Sequence, residues 1–343
     1  MTDHSRIPPN LQAVADAAGV HRSTASRALN PATRHLVAGD VAGRIVETAR
    51  RLGYRRDALA ASLRTGRSRL VGVIVPDIAN PVFGPILRGI ESALAASGYS
   101  ALLVNAGQGE AEQMRLVEEL MERRVDGLIL ATARQNDPVL GACLSAGTPT
   151  VLVNRAEESQ RASAVVSDDR AGIVLAVRHL ASLGHRRIGH LAGPQDLSTG
   201  ALRRAGFIAG VEELGIGAAD AWVAASAYTR EAGEIAALEL MARYDVTAIA
   251  AANDLLALGA YRACASRGLV CPRDMSIVGH NDMPLVDMVE PPLTTIRISH
   301  LRMGEEAARL LVREIEAPGS LPERIVTEPE LVLRASTAAP RQG

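Results

Sequence analysis

From Leu70 onward the chain alternates short apolar runs with amphipathic stretches, and that rhythm admits few folds. LVGVIVP is followed by PILRGIESALAASG, SALLVNA by EQMRLVEELMERR, and DGLILAT, PTVLVN and AVVSDDR continue the series. A second series runs IVLAVRHLASLG, HRRIGHLAG, LRRAGFIAGVEELG, AIAAAND, LLALGAYRACASRG and MSIVGHND. Strand-length runs separated by helix-length segments predict parallel sheets with helices on both faces, because parallel neighbours need a crossover between them. The number of units suits two doubly wound α/β lobes. At 343 residues and 48% hydrophobic content the chain has the material for more than one buried core. Its apolar runs are too short and too soon interrupted to span a bilayer, so no membrane association is expected. No low-complexity tract or short-period repeat is visible.

The segment before Leu70 has a different rhythm. NLQAVADAAGVHRSTASRALN, from Asn10 to Asn30, reads as two short helices joined by a tight turn. Pro8 and Pro9 bar a helix before it, Asn10 can cap the first helix, and Leu11, Val14, Ala15 and Ala18 keep helical spacing. Gly19 should end that helix, since the turn needs a backbone conformation glycine enters without penalty. The second helix is predicted over Ser23 to Leu29, with Ala25 and Ala28 packed inward and Arg22, Ser23 and Arg27 outward. A third, roughly Val41 to Leu52, closes at Gly53. Three such helices bury one small core, the all-α arrangement of a helix-turn-helix headpiece, and leave the second free to enter a DNA major groove. Beyond it, Asp57 can cap the Ala/Leu-rich DALAASLR, which Gly66 ends, a linker with helical potential.

Charge supports that division. The formal total is -1 and every one of the 37 basic residues is arginine. Residues 1–69 hold 12 Arg and 5 acids, a net +7, so the remainder carries -8. The basic end is the candidate for a polyanionic partner. Cys143, Cys264 and Cys271 have neither metal-ligand nor CxxC spacing and suit a reduced cytoplasmic setting, and the opening MTDHSRIPPN has no apolar stretch, so no secretory signal is expected. There is no GxSxG elbow, P-loop or HExxH motif, and GQGEAE at Gly107 lacks the third glycine of GxGxxG. His185 and His190 in HRRIGH are spaced to lie on opposite faces of a strand, poor joint metal ligands. No catalytic residue, metal or cofactor is therefore expected.

VADAAGVHRSTASRALN, the Leu52–Tyr54 LGY, AASLR, VPDIANPVFGPILRGIESALAASGY, AANDLLALGA and EPPLTTI occur in this order along nearly the whole chain. In that order the chain resembles the lactose-repressor/purine-repressor (LacI-type) family of bacterial transcriptional regulators. The resemblance implies a helix-turn-helix headpiece, a hinge helix, and a two-lobed core like that of periplasmic sugar-binding proteins. It also implies a cytoplasmic homodimer on pseudo-palindromic double-stranded operator DNA, with a repressor's role. The family's base-reading positions fall on Arg22 and Ser23, with Arg27 further along; arginine can contact guanine bidentately while serine discriminates less. Thr24, Ser26 and Asn30 match positions that hold phosphates or fix the helix pair. His21 stands where serine is usual, and Ala38, Val41 and Ala42 where Ser, Thr and Arg commonly cap the third helix and touch phosphate. Arg55 and Arg56 can compensate for that lost anchor. Asp57 to Arg64 matches the hinge helix, with Leu63 at the position of the leucine wedged into the minor groove and Arg64 beside it.

The same resemblance implies a small-molecule effector, carbohydrate-like, between the lobes at the carboxyl ends of the strands. Its first-lobe contacts fall on Asn80, Val82, Phe83, Asn154 and Arg155. The second lobe contributes Arg203, Tyr228 at the ring-stacking position, Asn253 and Asn281, and Ile298 follows TTI. Amides and guanidinium groups around an aromatic plane suit a hydroxyl-rich ring. Asn281 replaces the family's ligand-binding Asp and Ile298 its Gln, which removes a charge, adds an apolar wall and leaves a deoxy or acylated ligand open. Each amide has a local alternative in capping or turn formation, strongest for Asn80 and Asn154, while Asp254 reads as a structural helix cap.

The expected boundaries are 1–56 for the headpiece, 57–68 for the hinge, 69–337 for the core and 338–343 for a tail. Within the core, the first lobe takes 69–166 and 297–320, and the second 167–296 and 321–337. The segment after Thr337 is too short and Pro-rich for a tetramerising coiled coil. An effector-independent DNA binder stays open as an alternative. A periplasmic-type ligand-binding protein shares the core but not the basic headpiece.

Overall fold

A computed structural model describes residues 9–30, 33–54, 66–107 and 109–341. The chain divides into two compact units, Met1–Ser68 and Arg69–Gly343.

In the first unit, α1 (Leu11–Ala17) starts at Asn10, whose side-chain oxygen accepts from the Ala13 N–H at 2.9 Å. Gly19 turns the chain with φ 65°. Helix α2 spans Arg22–Ala28, beginning one residue ahead of the expected span, and α3 spans Gly39–Leu52, two residues longer at its start. Between them Arg34–Leu36 form a 3-10 turn that the pattern did not announce. Ala38 precedes α3 and supplies no side-chain cap, the consequence of an alanine where a hydroxyl would reach the free amides. Val14, Ala15, Ala25, Ala28, Ala42, Ile45 and Ala49 form the core. It is mostly alanine, so the backbones can approach closely. Arg55, Arg56, Leu63 and Arg64, and with them the hinge reading, lie outside the described residues.

The second unit contains two six-stranded sheets. The first joins β1 (Leu70–Val75), β2 (Ser100–Asn105), β3 (Gly127–Leu130), β4 (Thr150–Val153), β5 (Ser163–Ser167) and β11 (Arg324–Thr327) in the order β11-β5-β4-β3-β1-β2, every pair parallel. The second joins β6 (Ile188–Ala192), β7 (Trp222–Ala224), β8 (Ala248–Ala251), β9 (Ser276–Asn281), β10 (Thr294–Arg297) and β12 (Glu330–Val332) in the order β12-β10-β9-β8-β6-β7. Only the β10–β12 pair is antiparallel. Strands β3, β4, β5, β6, β8 and β9 are buried throughout, which is why they read as continuous apolar runs rather than alternations.

Helices cover both sheets. In the first lobe α4 (Phe83–Ala96) packs on α11 (His300–Glu316), and α5 (Glu110–Glu122) on α6 (Pro138–Ser145). In the second α7 (Asp169–Ser182) packs on α8 (Ser198–Leu214), and α9 (Arg230–Arg243) on α10 (Asp254–Ser266). No described helix is long and apolar enough to cross a membrane.

One expected boundary moves. The chain was expected to return to the second lobe at residue 321, yet Arg324–Thr327 pairs with Ser163–Ser167 in the first sheet, and the crossing comes only before Glu330. A short Ile-Val strand can extend either sheet's free edge, so its partner is a tertiary choice. The expected tail also begins later than 338: the Ala338 N–H donates to Ser276 Oγ at 3.0 Å, and His185 Nε2 meets the Ala338 carbonyl at 2.9 Å.

Candidate functional site

The outward face of α2 is organised from its first residue. His21 precedes the helix with extended backbone, and its Nδ1 accepts from the Ser23 N–H at 3.2 Å and from the Ser23 hydroxyl at 2.8 Å. A ring nitrogen thus does the work of the usual capping oxygen and holds Ser23 in one orientation. Arg22, Ser23 and Arg27 are exposed, while Ala25 and Ala28 are buried against the other helices. Thr24, Ser26 and Asn30 lie at the half-buried margin. Neither Arg22 nor Arg27 is in an ion pair among the described residues, so both guanidinium groups are available to an outside anion. At the far end the Thr33 hydroxyl donates to the Arg27 carbonyl at 3.1 Å. Replacing His21 with alanine is expected to weaken α2 by about 1 kcal/mol, the usual cost of a lost cap. Amide exchange at the start of α2 should then accelerate about fivefold; unchanged exchange would deny the cap any role.

In the second unit a cleft of about 460 Å3 lies between the lobes. That is within the usual size range of small-molecule sites. Its first-lobe wall holds Asp77, Asn80, Asn105, Arg134 and Arg155, and its second-lobe wall Asp196, Ser226, Tyr228 and Thr229. These residues follow, or end, the strands β1 to β4 and β6 to β7, the carboxyl ends where parallel sheets present loops.

Of the residues expected here, Asn80, Arg155 and Tyr228 line the cleft. The others are not among its lining residues. Val82 and Phe83 open α4 and, with Ile298, join the main hydrophobic core. Asn154 takes the left-handed conformation, φ 66°, as a turn residue immediately before Arg155. Asn253 caps α10, its side chain accepting from the Leu256 N–H at 2.8 Å. Asn281 accepts a long contact of 3.4 Å from Arg203. Even Asn80, on the cleft, accepts from the Val82 N–H at 3.2 Å. Asp254 is the first residue of α10 rather than its cap, and its two oxygens accept from the Met283 N–H at 2.8 Å and the Thr295 hydroxyl at 2.5 Å. Burial pushes its carboxyl up to about 7.

Asp77, Asn105, Arg134, Asp196 and Ser226 were not singled out in advance. A signal existed, since each sits within a few residues of a strand's carboxyl end. Arg134 and Asp196 form an ion pair at 2.7 Å that joins the two lobes across the cleft. The Ala156 N–H donates to Ser198 Oγ at 3.2 Å, a second interlobe contact. Tyr228 lies flat against a glycine: a Cβ at Gly193 would come within 2.2 Å of the phenol oxygen, so only glycine leaves room for the ring there. The Tyr228 hydroxyl donates to Thr199 Oγ1 at 3.1 Å, fixing the ring's angle.

Behind Tyr228 lies the most heavily charged part of the interior. Arg203, 3% exposed, meets Asp169 at 2.7 Å and donates to the Ala252 carbonyl at 2.7 Å. Burial alone would raise the Asp169 carboxyl, but the Arg203 guanidinium and His280 hold it below the usual range. His280 lies 3.5 Å from the same carboxylate without a hydrogen bond from either ring nitrogen. His190 stacks on Phe207 at 5.1 Å and meets the Ala250 carbonyl at 2.7 Å through Nδ1. Burial lowers His190 to about 3, and His280 and His300 to about 4. All three are neutral at physiological pH. No group of three or more acids, histidines or cysteines able to hold a metal occurs among the described residues.

Comparison with known proteins agrees with this architecture. Residues 177–337 match the family described as a periplasmic binding protein-like domain. The HTH-type transcriptional regulator MalR of Streptomyces coelicolor is 37% identical over 338 residues, 96% of each chain. The regulator CelR of Thermobifida fusca is 33% identical over 96% of this chain and 99% of its own. Among solved structures, a CelR–cellobiose complex superposes with TM-score 0.74 at 31% identity, covering 96% of this chain and 99% of that one. The lac repressor dimer bound to operator and the anti-inducer ONPF superposes with TM-score 0.86 at 26% identity, covering 97% of this chain and 100% of that one.

Proposed function

The chain belongs to the LacI family of DNA-binding, HTH-type transcriptional regulators, and from that membership we propose that it is a repressor whose operator affinity is set by a small hydroxylated ligand in the interlobe cleft. The observation that carries the ligand reading is the cleft itself: amide, carboxylate and guanidinium groups from both lobes surround the half-buried Tyr228 ring, a lining suited to a sugar or sugar derivative. The solved CelR relative holds cellobiose, and the solved lac repressor is a dimer on its operator. By extension, we read this chain as a cytoplasmic homodimer on a pseudo-palindromic site, without catalysis or a cofactor.

On that reading Arg22 and Ser23 contact base edges, Arg27, Thr24, Ser26 and Asn30 hold the backbone or brace the helix pair, and Arg55 and Arg56 add phosphate contacts. Leu63 is the minor-groove wedge, with Arg64 in the narrowed groove beside it. A ligand that contacts both walls of the cleft favours one lobe arrangement over another, and a ligand shifts an equilibrium only through that difference.

Operator selection with the Arg22→Ala protein tests the DNA half. The preferred base should change at one position of each half-site, at a cost of about 1–3 kcal/mol for the original site. Arg56→Ala should instead weaken all sequences alike. An unchanged base preference in Arg22→Ala would remove α2 from base reading. For the ligand half, a thermal-shift screen against sugars and their derivatives is followed by titration of each hit into an operator complex. A core that no such compound stabilises would favour effector-independent binding.

A further inference from the structure

Arg155 is a buried cation on the cleft wall that forms no ion pair among the described residues, and Asp196, a carboxylate that favours its charge, is already paired with Arg134. It is 5% exposed, its Nε is fully buried without a hydrogen-bond partner, and its other guanidinium nitrogens make no hydrogen bond among the described residues. The nearby arginines are each matched: Arg134 by Asp196 and Arg203 by Asp169, both at 2.7 Å. Asp77, on the same wall, uses one oxygen to accept from the Ala79 N–H at 2.9 Å and forms no ion pair among the described residues. Taking a guanidinium out of water without a counter-ion is costly, and removing it to a neutral group of similar shape ordinarily stabilises a protein. Burial brings Arg155 down to about 10, with Tyr228 and Asp196 opposing the shift and Arg134 and Arg203 adding to it, and the group stays charged at neutral pH.

Two terminal nitrogens of a planar guanidinium match the two oxygens of one carboxylate. A phosphate dianion fits less well, because a single free cation would face two charges while Asp77 and Asp196 share the lining. We propose that the effector is a sugar acid whose carboxylate is gripped by Arg155, with its hydroxylated ring held between the amides of the first lobe and Tyr228. This inference rests on the cleft being the effector site. It specifies the chemical class: an anionic carbohydrate rather than a neutral one.

The test uses the full-length protein and its Arg155→Met variant, with glucuronate, galacturonate and gluconate as carboxylate probes. Glucose and galactose are the neutral controls, and glucose 6-phosphate the phosphate arm. At least one carboxylate should raise the wild-type melting temperature where its neutral parent does not. Arg155→Met should melt higher than wild type without ligand and bind that carboxylate at least about tenfold more weakly. Neutral sugars bound equally by both proteins would overturn the acid proposal and leave the effector reading standing. Binding of the phosphate alone, no shift with any carboxylate, or a lower melting temperature for ligand-free Arg155→Met would each overturn it as well. If, further, no compound alters the operator complex, the effector reading itself fails.

Discussion

Arg203→Ala is expected to lower the stability of the core by about 3–5 kcal/mol, because it strands a buried carboxylate rather than merely removing a contact. Asp169 is 3% exposed and has Arg203 as its ion-pair partner at 2.7 Å. The same guanidinium satisfies the Ala252 carbonyl at the end of β8 and reaches Asn281 at the end of β9, so its loss also frees acceptors on two strands. His280, 3.5 Å from the carboxylate, is the other group among the described residues placed to answer the charge, and its pKa should climb from about 4 in the variant. Chemical denaturation of Arg203→Ala measures the loss, and NMR titration of His280 reports the compensation. Combining Arg203→Met with Asp169→Asn should recover most of the stability, since it removes both charges together. A loss below about 1 kcal/mol in Arg203→Ala would mean that the pair is hydrated and contributes as a surface pair does. Any failure of Arg203→Ala to respond to effector must therefore be separated from its instability before Arg203 is assigned a ligand contact.

The second large effect is on acid stability. Burial lowers His190 to about 3 and His280 and His300 to about 4, well below the ordinary 6.5 of the unfolded chain. Between those limits the unfolded state binds protons that the folded state refuses, so the contribution of these histidines is complete above 6.5 and falls as the pH is lowered toward 4. Asp254 acts in the opposite sense. Its folded pKa of about 7 lies above the unfolded 3.8, so its contribution is fully present below 3.8 and is lost as pH rises through 7. His179 and His185 are lowered by burial as well and Glu314 is raised, and with histidines in the majority unfolding takes up protons on balance, so stability falls between pH 6 and 4.5. Urea midpoints at pH 7.5, 6 and 5 should fall accordingly. His300→Leu should reduce the slope by one proton, about 1.4 kcal/mol per pH unit. A flat or rising profile would show that water reaches these imidazoles.

Much of the fold was legible because it rests on local rules. The cap at Asn10, the turn at Gly19, the outward Arg22, Ser23 and Arg27, and the strand-helix alternation from Leu70 each follow from a side chain acting on its own backbone or from a period of apolar residues. The capping action of His21 was also local, but imidazole is not the usual cap and carried no signal. The amides expected in the cleft show the limit of residue type as a guide. Asn253 caps a helix and Asn154 sits in a left-handed turn, the local roles that residue type alone offers an amide beside a ligand contact.

By itself the sequence determined the three-helix basic headpiece, the two doubly wound lobes and the family, since these depend on periodicity, charge and motif order along one strand of chain. Only the tertiary structure decided that Arg324–Thr327 joins the first sheet, that Arg134 reaches Asp196 across 62 positions, that Arg203 is matched by Asp169, and that Arg155 forms no ion pair among the described residues. The reason is physical: what a charge does in the interior depends on which opposite charge and how much water lie within a few ångströms, and that distance is set by packing between segments far apart in the chain.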